Sequence, residues 1–323
     1  MVSKTDVIMA YRLLLGREPE NDDVVTGKAA HFDSLEHLRS DFMESAEFRE
    51  KLQVPTMRPG DPGVKPLSWP PADVEVSVSP EMLRRMVLRI EGEFLDLGAT
   101  EPHWSVLTSE RYRAKNIREN ETEFYASGGE AISQFQAAAA RCGLDLSSYK
   151  SCFELGCGVG RITLWLARLF PAVTGADISV NHIDLARAAA ERAGTTNISF
   201  LNINKIEQYE TLPPFDVFLS LIVLQHNPPP LMAFILEAFL TKLSPGGAAY
   251  FQIPTHLTNY SFRAADYVES PPMVGNAEVH CIPQAVLFEI IRRAGCEVLE
   301  IREDSSLGSN AISNRLLLRK SPR

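Results

Sequence analysis

The chain has 323 residues, an apolar fraction of 45% and a formal net charge of −9, which leaves room for one large domain with an ordinary core and a small second one. The acidic balance argues against nucleic acid as the main partner, because phosphate binding requires clustered positive charge. Five cysteines without a C-x-x-C pair read as reduced, buried residues rather than a disulfide framework or zinc site. No apolar run approaches the roughly 18 residues needed to cross a bilayer, so no membrane span is expected and the cytoplasm is the default compartment.

In chain order, Val7, Tyr11, Leu14 and Leu15 share one helix face, and Gly16-Arg17-Glu18-Pro19 breaks it. The run 7–15 is interrupted by Arg12 and lacks a cleavage-site pattern. Leu35, Leu38 and Phe42 mark a later helix, with Asp33 and Glu36 as its candidate caps. Residues 54–71 hold six prolines and two glycines, so a linker at 53–72 follows a helical domain at 1–52. A helix is predicted over 79–90 with Pro80 at its favoured first position. Trp104, Tyr112, Phe124 and Tyr125 then line a polar stretch that ends in Ser127-Gly128-Gly129. Residues 73–128 are thus a helical segment ahead of the main domain at 129–323.

The most informative stretch is Phe153-Glu154-Leu155-Gly156-Cys157-Gly158-Val159-Gly160-Arg161, which reads as a buried strand, a glycine turn and a helix start, the outline of a nucleotide-type cofactor site. Missing side chains let a ligand lie against the main chain. A dinucleotide fingerprint needs its third glycine at 161, where this chain has Arg161, so pyrophosphate binding and a dehydrogenase are disfavoured. A helix over 162–169 leads to a strand over 172–177 that ends on Asp177, and a helix over 180–193 leads to a strand over 198–202. Residues 215–223 form a long apolar run suited to a central strand buried on both faces. Leu231, Phe234, Ile235, Ala238 and Phe239 make a helical stripe. Strands over 248–253, 297–302 and 314–319, and a helix over 283–294 stopped by Gly295, complete the pattern.

Across 125–320 these residues resemble the class I S-adenosylmethionine-dependent methyltransferases, whose first motif places an acid two positions before the same G-x-G-x-G turn, as Glu154 is placed here. The resemblance implies an α/β fold, a Rossmann-like seven-stranded methyltransferase sheet, with a small all-α N-terminal domain attached. It implies S-adenosyl-L-methionine as cofactor, held by Glu154, Gly156, Cys157, Gly158 and Gly160 of the turn and by Asp177 on the ribose hydroxyls. Ile178, Asn202 and Ile203 then flank the adenine. In this family the segment before the domain often folds over the cofactor, and Tyr125, in a Tyr-x-Ser-Gly sequence, resembles that lid; its ring face would attract the sulfonium.

Ligands of open α/β sheets lie beyond the carboxyl ends of the strands, where Gln225 and His226 follow the fourth strand. An imidazole with an ordinary pKa near 6.5 suits removal of a proton from an attacking hydroxyl or amine, and substrate positioning is its other reading. Asn227-Pro228-Pro229-Pro230 is similar to the Asn-Pro-Pro-aromatic motif of amino-group methyltransferases but has Pro230 where the aromatic clamp belongs. No carboxylate cluster suggests a metal. Gln225 is a candidate substrate residue, as are His256, Tyr260 and His280 in the inserted region 255–281, for a polar, ring-containing acceptor such as a sugar.

Tyr11 to Pro19 resembles a motif of a small bacterial domain found beside enzymes that build or modify extracellular polysaccharides. Residues 1–52 are accordingly expected to dock a glycan-assembly protein partner. The combined expectation is an O- or N-methyltransferase acting on a glycan-related or other polar small-molecule acceptor. The alternative is a catalytically silent S-adenosylmethionine-binding interaction protein, which loss of the acid at 154 or 177 would have favoured.

Overall fold

In a computed structural model, which describes residues 2–45, 47–48, 72–272, 275, 277–304, 306–308 and 310–322, the chain divides into two units, Met1–Pro66 and Leu67–Arg323. The predicted linker at 53–72 lies outside the described residues except for its last position. In the first unit the Ser3 hydroxyl accepts the Asp6 N–H while the Asp6 carboxylate accepts the Ser3 N–H, a reciprocal cap that opens the helix Lys4–Leu15. Gly16 closes it at φ 60°, a left-handed conformation that disfavours a Cβ. The helix Asp22–His31, which carries no apolar stripe in the sequence, buries only Val25. The helix Leu35–Glu44 is capped by the Ser34 hydroxyl and not by Asp33 or Glu36; Asp33 pairs with the His37 ring instead. Val7, Tyr11, Leu15, Leu38 and Phe42 meet in the core, and Leu14 packs at its margin. Arg17 lies 4.9 Å over the Tyr11 ring and forks onto Glu47 at 2.6 and 2.7 Å. Tyr11, Leu14, Leu15, Gly16 and Arg17 of the 11–19 motif are therefore committed to holding this unit together.

Among the described residues the second unit has nine strands: β1 (Asp73–Val74), β2 (Ser151–Leu155), β3 (Ala172–Asp177), β4 (Ile198–Asn202), β5 (Phe215–Ser220), β6 (Leu243–Leu257), β7 (Ser261–Phe262), β8 (Cys296–Asp304) and β9 (Ala311–Lys320). Strands β1 and β7 form a small parallel pair, and the other seven form one sheet in the order β4-β3-β2-β5-β6-β9-β8. Strands β2 to β6 of that sheet run parallel, and β9 runs antiparallel to both its neighbours. Strand order reverses between β2 and β5, which opens a crevice at their carboxyl ends. β3 and β4 occupy the ranges expected from the sequence. β5 stops at Ser220 rather than 223 because Ile222 has a φ of 60°, a conformation no strand continues and a β-branched residue rarely adopts.

Alternation along the buried strands sorts their side chains between two layers. Phe153, Phe218 and Phe251 face one layer, where Phe239 stacks on Phe218 at 4.6 Å; Cys152, Val217 and Tyr250 face the other, where Phe135 stacks on Tyr250 at 5.1 Å. Full burial of Phe218 alone contributes about 1.5 to 3 kcal/mol. The expected stripe after β5 becomes the helix Pro229–Lys242, with Leu231, Ile235 and Phe239 buried. The helix predicted to end at 90 runs over Pro80–Thr100 from a Ser79 cap. Its Gly98 lies so close to the helix Val180–Arg192 that a Cβ would fall 2.7 Å from the Ser179 hydroxyl. Residues 73–128 thus pack into the same unit as the sheet.

Candidate active site

The turn after β2 is tied to the end of β3 by two backbone bonds, from the N–H groups of Gly156 and Cys157 to the Ala176 carbonyl at 2.7 and 3.0 Å. Gly156, Gly158 and Gly160 have φ of 75°, 52° and 87°, which a side chain would strain. Space forbids one at two of them: a Cβ on Gly156 would lie 2.1 Å from a Val223 methyl, and one on Gly158 would lie 2.4 Å from a Val106 methyl. Val223 follows β5, and Val106 ends the short helix Pro102–Val106, so the sheet crevice and the preceding segment close on one glycine turn.

The carboxylates sit on that turn. Asp177, buried at the end of β3, accepts the Gly158 N–H at 2.8 Å on one oxygen and the Ser179 N–H at 2.9 Å on the other. Glu154 is 2% exposed and accepts the Thr163 hydroxyl at 2.6 Å. Burial pushes its carboxyl up to about 7, because a charge in low dielectric loses hydration. Beside it, Arg161 is buried and donates to the Ser127 hydroxyl at 3.2 Å.

His226, also in the cleft wall, has both ring nitrogens engaged. Nδ1 lies 2.9 Å from the Glu278 carbonyl, which can only accept, so Nδ1 carries the proton. Nε2 then accepts from the Gln225 amide at 3.2 Å. That amide is oriented by Gln252, which donates to its oxygen at 3.0 Å, donates to the Ser313 hydroxyl at 2.6 Å, and accepts the N–H of the strained Ile222 at 3.2 Å. Burial lowers the pKa of His226, partly opposed by the Glu278 carbonyl, so the ring is neutral at neutral pH.

Of the residues read from the sequence, Glu154, Gly156, Cys157, Gly158, Asp177, Ile178, Ile203 and His226 line one cleft. The others are placed elsewhere. Tyr125 does not line it: its hydroxyl donates to the Val159 carbonyl at 3.2 Å and its ring packs on Phe124 beneath the turn. Gly160 is turned toward the neighbouring helix, where a Cβ on it would lie 3.4 Å from Ala186, so its φ of 87° rather than lack of space calls for glycine. The Asn202 amide is spent on the carbonyls of Asp177 and Ile178 at 3.0 and 2.8 Å. Gln225 stands behind His226 in the network just described. The Tyr260 hydroxyl and His280 Nδ1 share a hydrogen bond at 2.8 Å in an aromatic cluster with Phe262 and Tyr267, and His256 lies in β6, so none of the four substrate candidates, Gln225 included, lines the cleft.

Sequence reasoning missed most of the wall opposite the turn. Ile90 and Phe94 come from the long helix, Ser105 and Val106 from the helix after it, and Tyr209 and Ile235 from the far layer. The continuing stripe Ile90, Phe94, Leu97 was the available signal, obscured by Gly92. His182 was missed as well; its Nε2 lies 2.8 Å from the Ser105 hydroxyl. Among the described residues no cluster of three or more His, Cys, Asp or Glu suits a metal ion, and no helix is long and apolar enough to cross a membrane.

Residues 153–247 match the family described as methyltransferase domain. A ubiquinone biosynthesis O-methyltransferase of Acinetobacter baumannii (strain ACICU) is 29% identical over 174 residues, which are 52% of this chain and 71% of the relative. Its namesake in Albidiferax ferrireducens is 33% identical over 100 residues, 30% of this chain and 38% of the relative. Among solved structures, magnesium protoporphyrin IX methyltransferase from Synechocystis PCC 6803 with bound SAH aligns over 74% of this chain and 100% of its own at 18% identity, with a TM-score of 0.49. Strand order, glycine turn and family match together define a class I methyltransferase domain with a Rossmann-like sheet. The chain carries an S-adenosylmethionine-dependent methyltransferase domain, with S-adenosyl-L-methionine as its cofactor.

Proposed function

We propose that this enzyme methylates a hydroxyl on a small acceptor that also presents an apolar face. The observation that carries this reading is His226, proton on Nδ1 and lone pair on Nε2, in a cleft wall shared with the glycine turn. The cofactor fits the residues present: a turn that excludes side chains, a buried aspartate at the end of β3 and a buried acid at the end of β2. In this reading Asp177 accepts the ribose hydroxyls, Glu154 takes the ammonium group, and Ile178 and Ile203 flank the adenine. When bound, S-adenosyl-L-methionine supplies an electrophilic methyl on a sulfonium, so the protein's task is mainly alignment. An acceptor hydroxyl takes the place of the Gln225 amide at His226 Nε2, which receives its proton as the oxygen gains the methyl.

Oxygen rather than nitrogen is favoured by the O-methyltransferase relatives. The apolar face is favoured by Phe94, Tyr209, Leu221 and Ile235 in the wall. A glycan-related acceptor draws its support from the 11–19 motif alone, and in that version residues 1–52 dock the enzyme to its acceptor or to a glycan-assembly partner. Mass spectrometry of hydroxylated and amino-bearing compounds incubated with enzyme and S-adenosylmethionine tests the proposal. Products methylated only on nitrogen overturn the oxygen assignment. Cofactor binding with no product from any class favours the silent binding protein.

A further inference from the structure

The tautomer of His226 rests on one carbonyl, and that carbonyl belongs to a residue gripped by a buried cation. Arg89, on the helix Pro80–Thr100, has a side chain only 9% exposed. Its Nη1 donates to the carbonyls of Tyr267 and Ser270, its Nη2 donates to the Pro271 carbonyl at 3.3 Å and to the Glu278 carboxylate, and its Nε faces Glu93 at 3.4 Å. The guanidinium also lies 4.2 Å from the centre of the Tyr267 ring. Glu278 stands between this clasp and the cleft: its carboxylate is on Arg89, and its carbonyl accepts the His226 Nδ1 proton at 2.9 Å. Two residues on, the His280 N–H donates to the Gln225 carbonyl at 2.7 Å, so residues 278 and 280 brace both Gln225 and His226.

We propose that Arg89 is a positioning residue for His226: by binding the Glu278 carboxylate and the carbonyls of Tyr267, Ser270 and Pro271, it fixes the Glu278 carbonyl against Nδ1 and keeps the Nε2 lone pair available. The inference rests on the reading of His226 as base and adds the residue that prepares it. An imidazole takes the tautomer its partners satisfy, and a carbonyl free to drift no longer decides between the two. A planar fork that serves several acceptors at once restrains a segment in a way the point charge of a lysine does not. Glu93 and Glu278 share this one guanidinium, with the His280 ring 3.6 Å from Glu278. Without Arg89 the two carboxylates oppose each other, and Glu278, 22% exposed against 7% for Glu93, is the one able to swing toward water.

Nitrogen-15 NMR of the full chain labelled at histidine, at about pH 8 where imidazoles are neutral, reads the tautomer directly, because protonated and bare ring nitrogens resonate far apart. The His226 signals are assigned by their loss in His226→Ala. The wild type should show Nδ1 protonated and Nε2 bare. In Arg89→Met the two resonances should move toward each other, as exchanging tautomers do, or change places, while calorimetry gives an S-adenosylmethionine affinity within about threefold of the wild type. Glu278→Ala keeps the carbonyl and removes only the carboxylate, so it should produce the same shift, and it carries the test if Arg89→Met does not fold. Arg89→Lys, which keeps the charge and loses the fork, should shift the pair only in part. Unmoved His226 resonances in the folded variants overturn the proposal, as does a wild type with the proton on Nε2. Displaced signals from every histidine together with lost cofactor affinity mark Arg89 as a general structural residue and overturn it too. Failure of the base reading is a separate result: His226→Ala would then keep its turnover while the Arg89-dependent tautomer shift stands.

Discussion

His226 Nδ1 lies 2.9 Å from the Glu278 carbonyl oxygen, and this one contact fixes which ring nitrogen is free to accept a proton. Burial then lowers the pKa of the ring below the ordinary imidazole value. If His226 is the base, turnover should be flat around neutrality, with its acid limb below about pH 6.5. His226→Ala should lower turnover by roughly 10² to 10⁴ with cofactor affinity intact. A loss below about tenfold leaves His226 a positioning group. The same depressed pKa makes the folded state reluctant to protonate, so His226 contributes a loss of stability as pH falls through the unfolded-state value.

Glu154 titrates in the opposite sense. Held up at about 7 by burial, it favours the ligand-free fold while protonated, and that contribution is lost as pH rises through about 7. An ammonium ligand favours the ionised form, so S-adenosylmethionine should bind more tightly at about pH 8 than at about pH 6 and release a proton in the lower range. Calorimetry in buffers of different ionisation enthalpy measures that proton. Glu154→Gln should abolish the pH dependence; an unchanged slope assigns the proton to another group.

Asp177→Ala removes a charged acceptor from the proposed ribose site and from the N–H groups of Gly158 and Ser179. Cofactor affinity should fall about ten- to a hundredfold. Gly158→Val should be worse, since its side chain meets Val106 and its backbone is left-handed. Full affinity in both folded variants would place the cofactor elsewhere.

Gln252 is fully buried and joins Ile222, Gln225 and Ser313. Gln252→Leu removes the partner of the Ile222 N–H and of the Gln225 amide oxygen and should cost about 2 to 5 kcal/mol in urea unfolding. Turnover should fall more than cofactor affinity, because the disturbed groups stand behind His226. A change under about 0.5 kcal/mol would mean that the network relaxes around the substitution.

A chain beginning at residue 72 retains the whole cleft and should bind S-adenosylmethionine as the full chain does. Turnover on a free acceptor at saturation should survive, while activity in cells or on assembled polysaccharide falls if residues 1–52 are a tether. Loss of cofactor binding in the folded truncated chain would join the first unit to the site.

The sheet was legible because its strands are buried on both faces, and buried strands must be apolar throughout while the turns between them need glycine or polar residues. Glu154, the glycines and Asp177 were legible for the same reason: their positions follow from backbone geometry at consecutive strand ends. Residues reached through side-chain packing were not legible. Asn202 stands at the expected strand end, yet its amide turns back to its own sheet. Tyr125 and Tyr260 found hydroxyl partners away from the cleft. Arg161 could be read only as a missing glycine until the structure showed it buried in the cleft wall.

By itself, then, the sequence determined the strand order's raw material, the glycine turn and its two acids, since these depend on local periodicity and on φ values only glycine tolerates well. Only the tertiary structure decided which nitrogen of His226 is bare, which of the aromatic and amide side chains face the cleft, and that Val106 and Val223 close on the turn. Those facts depend on contacts between segments distant along the chain, whose geometry no local pattern encodes.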